Sequence, residues 1–167
     1  MIAYEVDASK VIGMLNAVSS KIEPRTMLGL IGARHLEWIQ DNFERRGIES
    51  AWPPLRPNTI AGRRLGSSAP LQDTGRLRQS FVVRMLGNAV EVGSAMKIAA
   101  IHHEGSGSYV IRPRQARFLK FMTTAGEVFA RSVRHPGIPR RRLIPSVGLG
   151  ERLAIETADN AIKAVAT

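Results

Sequence analysis

Two different periods of apolar residues in one chain fix most of what it can fold into. Leu28, Gly32, Leu36, Ile39 and Phe43 recur at three- and four-residue spacing, the stripe of an amphipathic helix. Pro24 suits its first turn, where a missing N–H costs nothing, and Gly47 is a natural stop. This predicts a helix of about 20 residues, roughly 30 Å long at 1.5 Å per residue. Further on the period changes to two. Phe81–Leu86 reads as a strand, Gly87-Asn88 as a two-residue hairpin turn and Ala89–Gly93 as the return strand, with Val90 and Val92 on one face and Glu91 on the other. A helix and a hairpin that are each apolar on one side bury those sides against other elements. The expected fold class is therefore α+β: an antiparallel β-sheet of hairpins packed against a long N-terminal helix and a C-terminal helix, with a long basic loop.

The rest of the chain fits one domain of 167 residues with no internal repeat. Residues 8–46 are expected to hold the N-terminal helices, the first a short one over 8–20 with Val11, Leu15 and Val18 on one side. Residues 47–72 read as an extended loop: periodicity vanishes from Ile48 to Pro70, prolines and glycines accumulate, and Arg56, Arg63 and Arg64 make it basic. Trp52 and Leu55 are placed to pin its start to the body. Residues 73–134 are expected to form the β-hairpin core with a short helix. Asp73 or Thr74 would cap a brief helical turn, Ala95–Glu104 would be the helix, and Tyr109–Arg112, Arg117–Met122 and Val128–Arg134 would be extended. Residues 135–167 comprise a basic segment and a final helix from about Leu149, with Ile155, Ala158, Ile162 and Val165 on its apolar side.

Composition enters through charge. There are 24 Lys+Arg against 14 Asp+Glu, a net charge of +10, and all but five of the basic residues are arginine. From Trp52 to Gly148 there are 16 basic and 4 acidic residues, whereas the two ends together hold 8 basic and 10 acidic ones. A basic middle points to a polyanion; an arginine preference equally suits protein interfaces, where the planar fork pairs carboxylates.

Several chemistries are excluded. No cysteine is present, which removes disulfides, cysteine-ligated zinc, iron–sulfur clusters and a thiol nucleophile. No apolar run reaches the roughly 20 residues of a membrane-spanning helix. Glu5 and Asp7 stand where a secretion signal would be basic, so the chain is expected to be made and kept in a reducing cytosol, or in something assembled there. His102-His103-Glu104 lacks the four-residue histidine spacing of a zinc protease, and His35 and His135 lie in other segments. Helix-end packing with one exposed imidazole, protonated against the helix dipole, suits the pair better. The basic middle offers only Asp73, Glu91, Glu104 and Glu127, too few acids for a nuclease metal site. No catalytic, cofactor or metal site is expected. Arg112-Pro113-Arg114 and Arg140-Arg141-Arg142 lie on proline-stiffened segments that would present arginine to phosphate or to an acidic partner. Without a recognition helix, any DNA contact would be with the backbone.

The order of short motifs is more specific. Trp52-Pro53-Pro54-Leu55, then Leu71-Gln72-Asp73-Thr74-Gly75-Arg76-Leu77, then Val92-Gly93-Ser94, then Ile98-Ala99-Ala100-Ile101-His102-His103-Glu104-Gly105, then Ile138-Pro139-Arg140-Arg141-Arg142-Leu143-Ile144 follow one another across residues 52–144. This series resembles the phage virion-morphogenesis (tail-completion) family of tailed phages and Mu-like prophages. Ile98 stands where that family usually has tyrosine, and Arg140-Arg141-Arg142-Leu143 replaces Ala-Arg-Pro-Phe.

The resemblance implies a non-enzymatic virion protein of the head–tail junction. Copies would form a ring, expected to be a hexamer, between the head connector and the tail tube, made in the bacterial cytoplasm and without a membrane. Gly75 would meet a special backbone need, Asp73 would hold the turn, and Arg76 and Arg78 would be exposed on it. Glu37, Asp41 and Glu44 would face a neighbour's arginines, and basic residues at the lumen would touch passing DNA without sequence preference. The candidate interaction residues are Trp52, Leu55, Arg63, Arg64, Asp73, Gly75, Arg76, Arg78, His102, Arg112, Arg114, Arg140, Arg141 and Arg142. The alternative is a DNA-backbone-binding accessory protein.

Overall fold

The computed structural model describes residues 2–6, 13, 22–63 and 67–166. The helix expected over 8–20 lies outside them apart from Gly13, and so does Arg64. The element order is β1 (Ile2–Val6), α1 (Pro24–Glu44), α2 (Pro57–Ala61), α3 (Arg76–Gln79), β2 (Phe81–Leu86), β3 (Ala89–Ser94), α4 (Lys97–Glu104), β4 (Tyr109–Ile111), β5 (Leu119–Thr123), β6 (Gly126–Ala130), β7 (Val133–His135) and α5 (Val147–Ala166). The class is α+β, with antiparallel strands in small sheets.

The long helix forms as its stripe predicts, with Pro24 in the first turn, Glu44 as its last residue and the chain turning away through Gly47 at φ +110°. Its buried face is wider than the stripe. Met27, Ile31, His35, Trp38 and Asn42 are buried along with Leu28, Gly32, Ile39 and Phe43, while Leu36 is half-buried. The reason is that α1 is packed on two sides, by the sheet and by α5. Met27, Leu28 and Ile31 share a cluster with Val90, Ala154 and Ala158, and Ile39 and Phe43 share another with Phe81, Val92, Leu143 and Leu153.

The hairpin also forms as expected, pairing Leu86 with Ala89 across Gly87-Asn88 and Phe81 with Ser94 at the far end. Sequence reading missed its neighbour. β1 pairs antiparallel with β3, Ile2 opposite Ser94, so the sheet order is β1-β3-β2 with the return strand in the centre.

The stripe expected on the C-terminal helix is displaced. The helix starts at Val147, and Leu153, Ala154 and Ala158 are buried, whereas Ile155 and Val165 are exposed and Ile162 is half-buried. Ala154 and Ala158 let α5 lie close against α1, and Ile155 and Val165 are left outside. The 47–72 segment is not structureless either: α2 interrupts it, with Pro57 in its first turn. Among the described residues no helix is long and apolar enough to cross a membrane.

At Gly32 α1 lies close against the sheet. A Cβ there would lie 2.6 Å from Val83 Cγ1 and 2.8 Å from Val90 Cγ2, both stiff β-branched side chains on paired strands. Gly29, one turn earlier, has nothing within 4 Å of that position. Replacing Gly32 by leucine is expected to cost about 2–3 kcal/mol through overpacking, while Gly29→Ala is expected to gain about 0.5–1 kcal/mol through helix propensity. Urea unfolding of the two variants checks both signs.

Candidate functional site

The proline-punctuated segment from Ile138 to Ser146 has no strand ladder of its own beyond one bridge to Ser106. Buried backbone groups must be paired, so other elements supply partners. Arg141 N–H donates to the His102 carbonyl at 2.8 Å, and Leu143 N–H donates to His103 Nδ1 at 3.1 Å. The Arg142 carbonyl accepts from Asn42 Nδ2 at 2.9 Å and from Trp52 Nε1 at 3.1 Å. Ser146 N–H donates to Glu49 Oε2 at 3.0 Å, and its hydroxyl donates to Glu49 Oε1. Leu143 and Ile144 then enter the core beside Phe43 and Trp52, whose rings meet edge to face at 5.2 Å. The segment is a strap that binds the end of α1, the start of the long loop and the end of α4.

Its arginines are not the solvated run the sequence suggests. Arg141 is buried, and its guanidinium donates to the Pro53 carbonyl at 2.8 Å and 3.2 Å. Prolines 53 and 54 stiffen that turn, and its carbonyls need a donor. Burial, and then the neighbouring Arg63, lower the Arg141 pKa. Arg140 Nε donates to the His103 carbonyl at 3.2 Å although the residue is exposed, and Arg142 Nε stands 4.0 Å from Glu49.

Neither histidine of the pair is exposed: His103 is buried and His102 half-buried. Burial, with Arg141 next, lowers the His102 pKa. The His103 pKa is lowered chiefly by burial, against the pull of Glu104. The protonated helix-end imidazole expected from the sequence is thus corrected. His103 Nδ1 must accept from Leu143 N–H, so the neutral ring carries its proton on Nε2. His35, fully buried, has its ring nitrogens 2.7 Å from the Ile31 carbonyl and 3.1 Å from that of Gly150, and burial lowers its pKa too.

A second clamp closes on the same end of α1. Gly75, at φ +72°, is itself the N-cap of α3, in a left-handed conformation that favours glycine. No side chain caps that helix, which corrects the role given to Asp73 or Thr74, and the buried Asp73 Oδ1 has no hydrogen-bond partner. Leu77 enters the core. Arg78 is not free on the turn: Nε donates to Gln40 Oε1 at 2.6 Å and a terminal nitrogen to Glu44 Oε1 at 2.6 Å. Glu37 is likewise engaged within the chain, by Arg34 at 2.9 Å.

The structure therefore brings Trp52, His102, Arg140, Arg141 and Arg142 together at the strap, and sets Asp73, Gly75 and Arg78 beside the end of α1. Arg63 turns back to the Ser67 and Ala69 carbonyls at 2.9 and 2.6 Å. Leu55 is half-buried, and Arg76, Arg112 and Arg114 are exposed. Sequence reasoning missed Asn42, Glu49 and His103. Asn42 had a signal: a polar residue on the stripe, where burial demands partners. Among the described residues no group of three His, Asp or Glu is placed to hold a metal ion. The chemistry on view is that of scaffolding, with donors meeting backbone carbonyls.

The model of the phage virion morphogenesis family matches residues 6–165, so the chain belongs to that family and has a structural or assembly role in the phage virion. No curated protein and no solved structure matches it.

If the strap holds the motifs together, Arg141→Leu will leave the Pro53 and Pro54 carbonyls unpaired and destabilise the fold by about 2–3 kcal/mol. Arg112→Leu, on an exposed site, should stay within about 0.5 kcal/mol. Denaturant midpoints of the two variants compare them.

Proposed function

We propose, on the premise of that family membership, that the chain works at the head–tail junction as a neck or tail-completion protein. Copies form a ring, expected to be a hexamer, that joins the head connector to the tail tube. The observation that carries the reading is the match over nearly the whole chain, residues 6–165. The internal use of charge supports it. Arg63, Arg78, Arg140 and Arg141 donate to this chain's own carbonyls or acids, and Arg142 stands 4.0 Å from Glu49. These arginines thereby build the scaffold, which leaves fewer for a role as a DNA-backbone accessory protein. The histidines and the buried arginine are engaged in packing, which fits a role without catalysis.

A homomeric ring needs one patch to meet a different patch on the next copy. The purified chain is expected to form closed rings of uniform mass by native mass spectrometry and negative-stain imaging, alone or with its connector or tube. Phage lacking the protein should accumulate filled heads and tails that do not join. A chain that stays monomeric at high concentration with both partners present, or joined particles in its absence, would overturn the reading.

A further inference from the structure

Residues 109–135 behave unlike the rest of the chain. β4 pairs with β7, Tyr109 opposite His135, and between them β5 pairs with β6 around the turn at Thr124-Ala125. The segment leaves the body through one two-stranded stem and ends in a second two-stranded tip. The tip touches α2, where Thr124 N–H donates to Asn58 Oδ1 at 3.3 Å. Not one of the 27 residues from Tyr109 to His135 is buried. Yet it holds three of the five phenylalanines, and Val110, Met122 and Phe129 are 49%, 59% and 61% exposed.

An isolated two-stranded hairpin is marginally stable in water, and clustered exposed apolar residues mark contact surfaces. The segment also carries Arg112, Arg114, Arg117, Lys120, Arg131 and Arg134 against the single acid Glu127, half of the protein's net charge of +10. What it fits must be both apolar and acidic. A DNA backbone is acidic only, and would leave Val110, Met122 and Phe129 in water.

The chain itself has a surface of that kind. On the outer side of α5, Ile155 is 47% exposed, with Glu151, Glu156 and Arg152 around it; all three are exposed, and the two acids, which outnumber the arginine, form no ion pair among the described residues. Of the acids expected to serve an interface from α1, Glu37 and Glu44 are already paired within the chain and Asp41 is half-buried.

We propose that Tyr109–His135 is an assembly arm that seats on the outer face of α5 of a second copy, its arginines meeting Glu151 and Glu156 and its apolar side chains covering Ile155. This rests on the ring reading and deepens it by naming the two unlike patches. Arm and face are on different parts of one subunit, so each copy gives one contact and receives another.

The test uses the full chain in two charge-reversed forms, Arg114→Glu with Arg117→Glu, and Glu151→Arg with Glu156→Arg. All four positions are exposed, so thermal unfolding should be unchanged. Each form is expected to need at least about tenfold more protein to assemble, and the chain carrying all four changes should recover to within about threefold. Mixing the two forms should restore assembly, as rings in which they alternate, because the arm of each then meets a face of opposite charge on the other. If the natural chain assembles and both reversed forms assemble equally well, the arm assignment is overturned while the ring stands. If the arm reversal leaves assembly intact but abolishes binding to random duplex DNA, the arm is a DNA contact and the assignment is also overturned. A natural chain that never assembles removes the ring, and the arm's role with it.

Discussion

The Arg142 carbonyl, taken from both sides by Asn42 and Trp52, is the point on which the rest of the structure depends. An extended, proline-broken strap cannot pair with itself. It becomes part of the body only if side chains from elsewhere satisfy its backbone. Asn42 reaches it from the last turn of α1 and Trp52 from the loop that follows. Asn42 Oδ1 in turn accepts from Ile48 N–H at 2.8 Å, so one amide holds the helix end, the loop and the strap. Motifs scattered over some 90 residues of sequence therefore converge on one place. Their spacing serves architecture.

That convergence divides the molecule. One part is a body in which α1 lies between the three-stranded sheet and α5, closed at one end by the strap and the Gly75 turn. The other is the arm, with no buried residue. In an obligate monomer such an arm would be a liability, with unpaired edges and apolar side chains in water. In the proposed ring it would be the means of attachment. The positive charge is used unevenly: on the body Arg63, Arg78, Arg140 and Arg141 donate to this chain's own carbonyls or acids, whereas on the arm Lys120 is paired with Glu127 and the five arginines are exposed.

The sequence made the central helix and the β2–β3 hairpin legible, because each rests on a local period and a local turn. β1 was not, since Ile2–Val6 pairs with residues about 90 positions away and has no hairpin partner of its own. The face of α5 was legible in part: Ala158 and Ile162 pack inward as the stripe expects, whereas Ile155 and Val165 outweigh alanine on any hydrophobicity reading and yet lie outside, because close helix packing selects Leu153 and Ala154. The order of the site's motifs could be read; their roles could not. Arg140-Arg141-Arg142 looks like a solvated run unless it is known that the Pro53 carbonyl lies in reach, and Asp73 looks like a cap until Gly75 is seen to occupy that position.

Hydrogen–deuterium exchange on the free chain and on the assembled particle tests the central claim most directly, because it reads the strap and the arm in one experiment. The account predicts slow exchange at Arg141 and Leu143 in both states. It predicts fast exchange across Tyr109–His135 in the free chain and strong protection there after assembly. Exchange in the arm that is as slow in the free chain as at the strap, or unchanged on assembly, would contradict it.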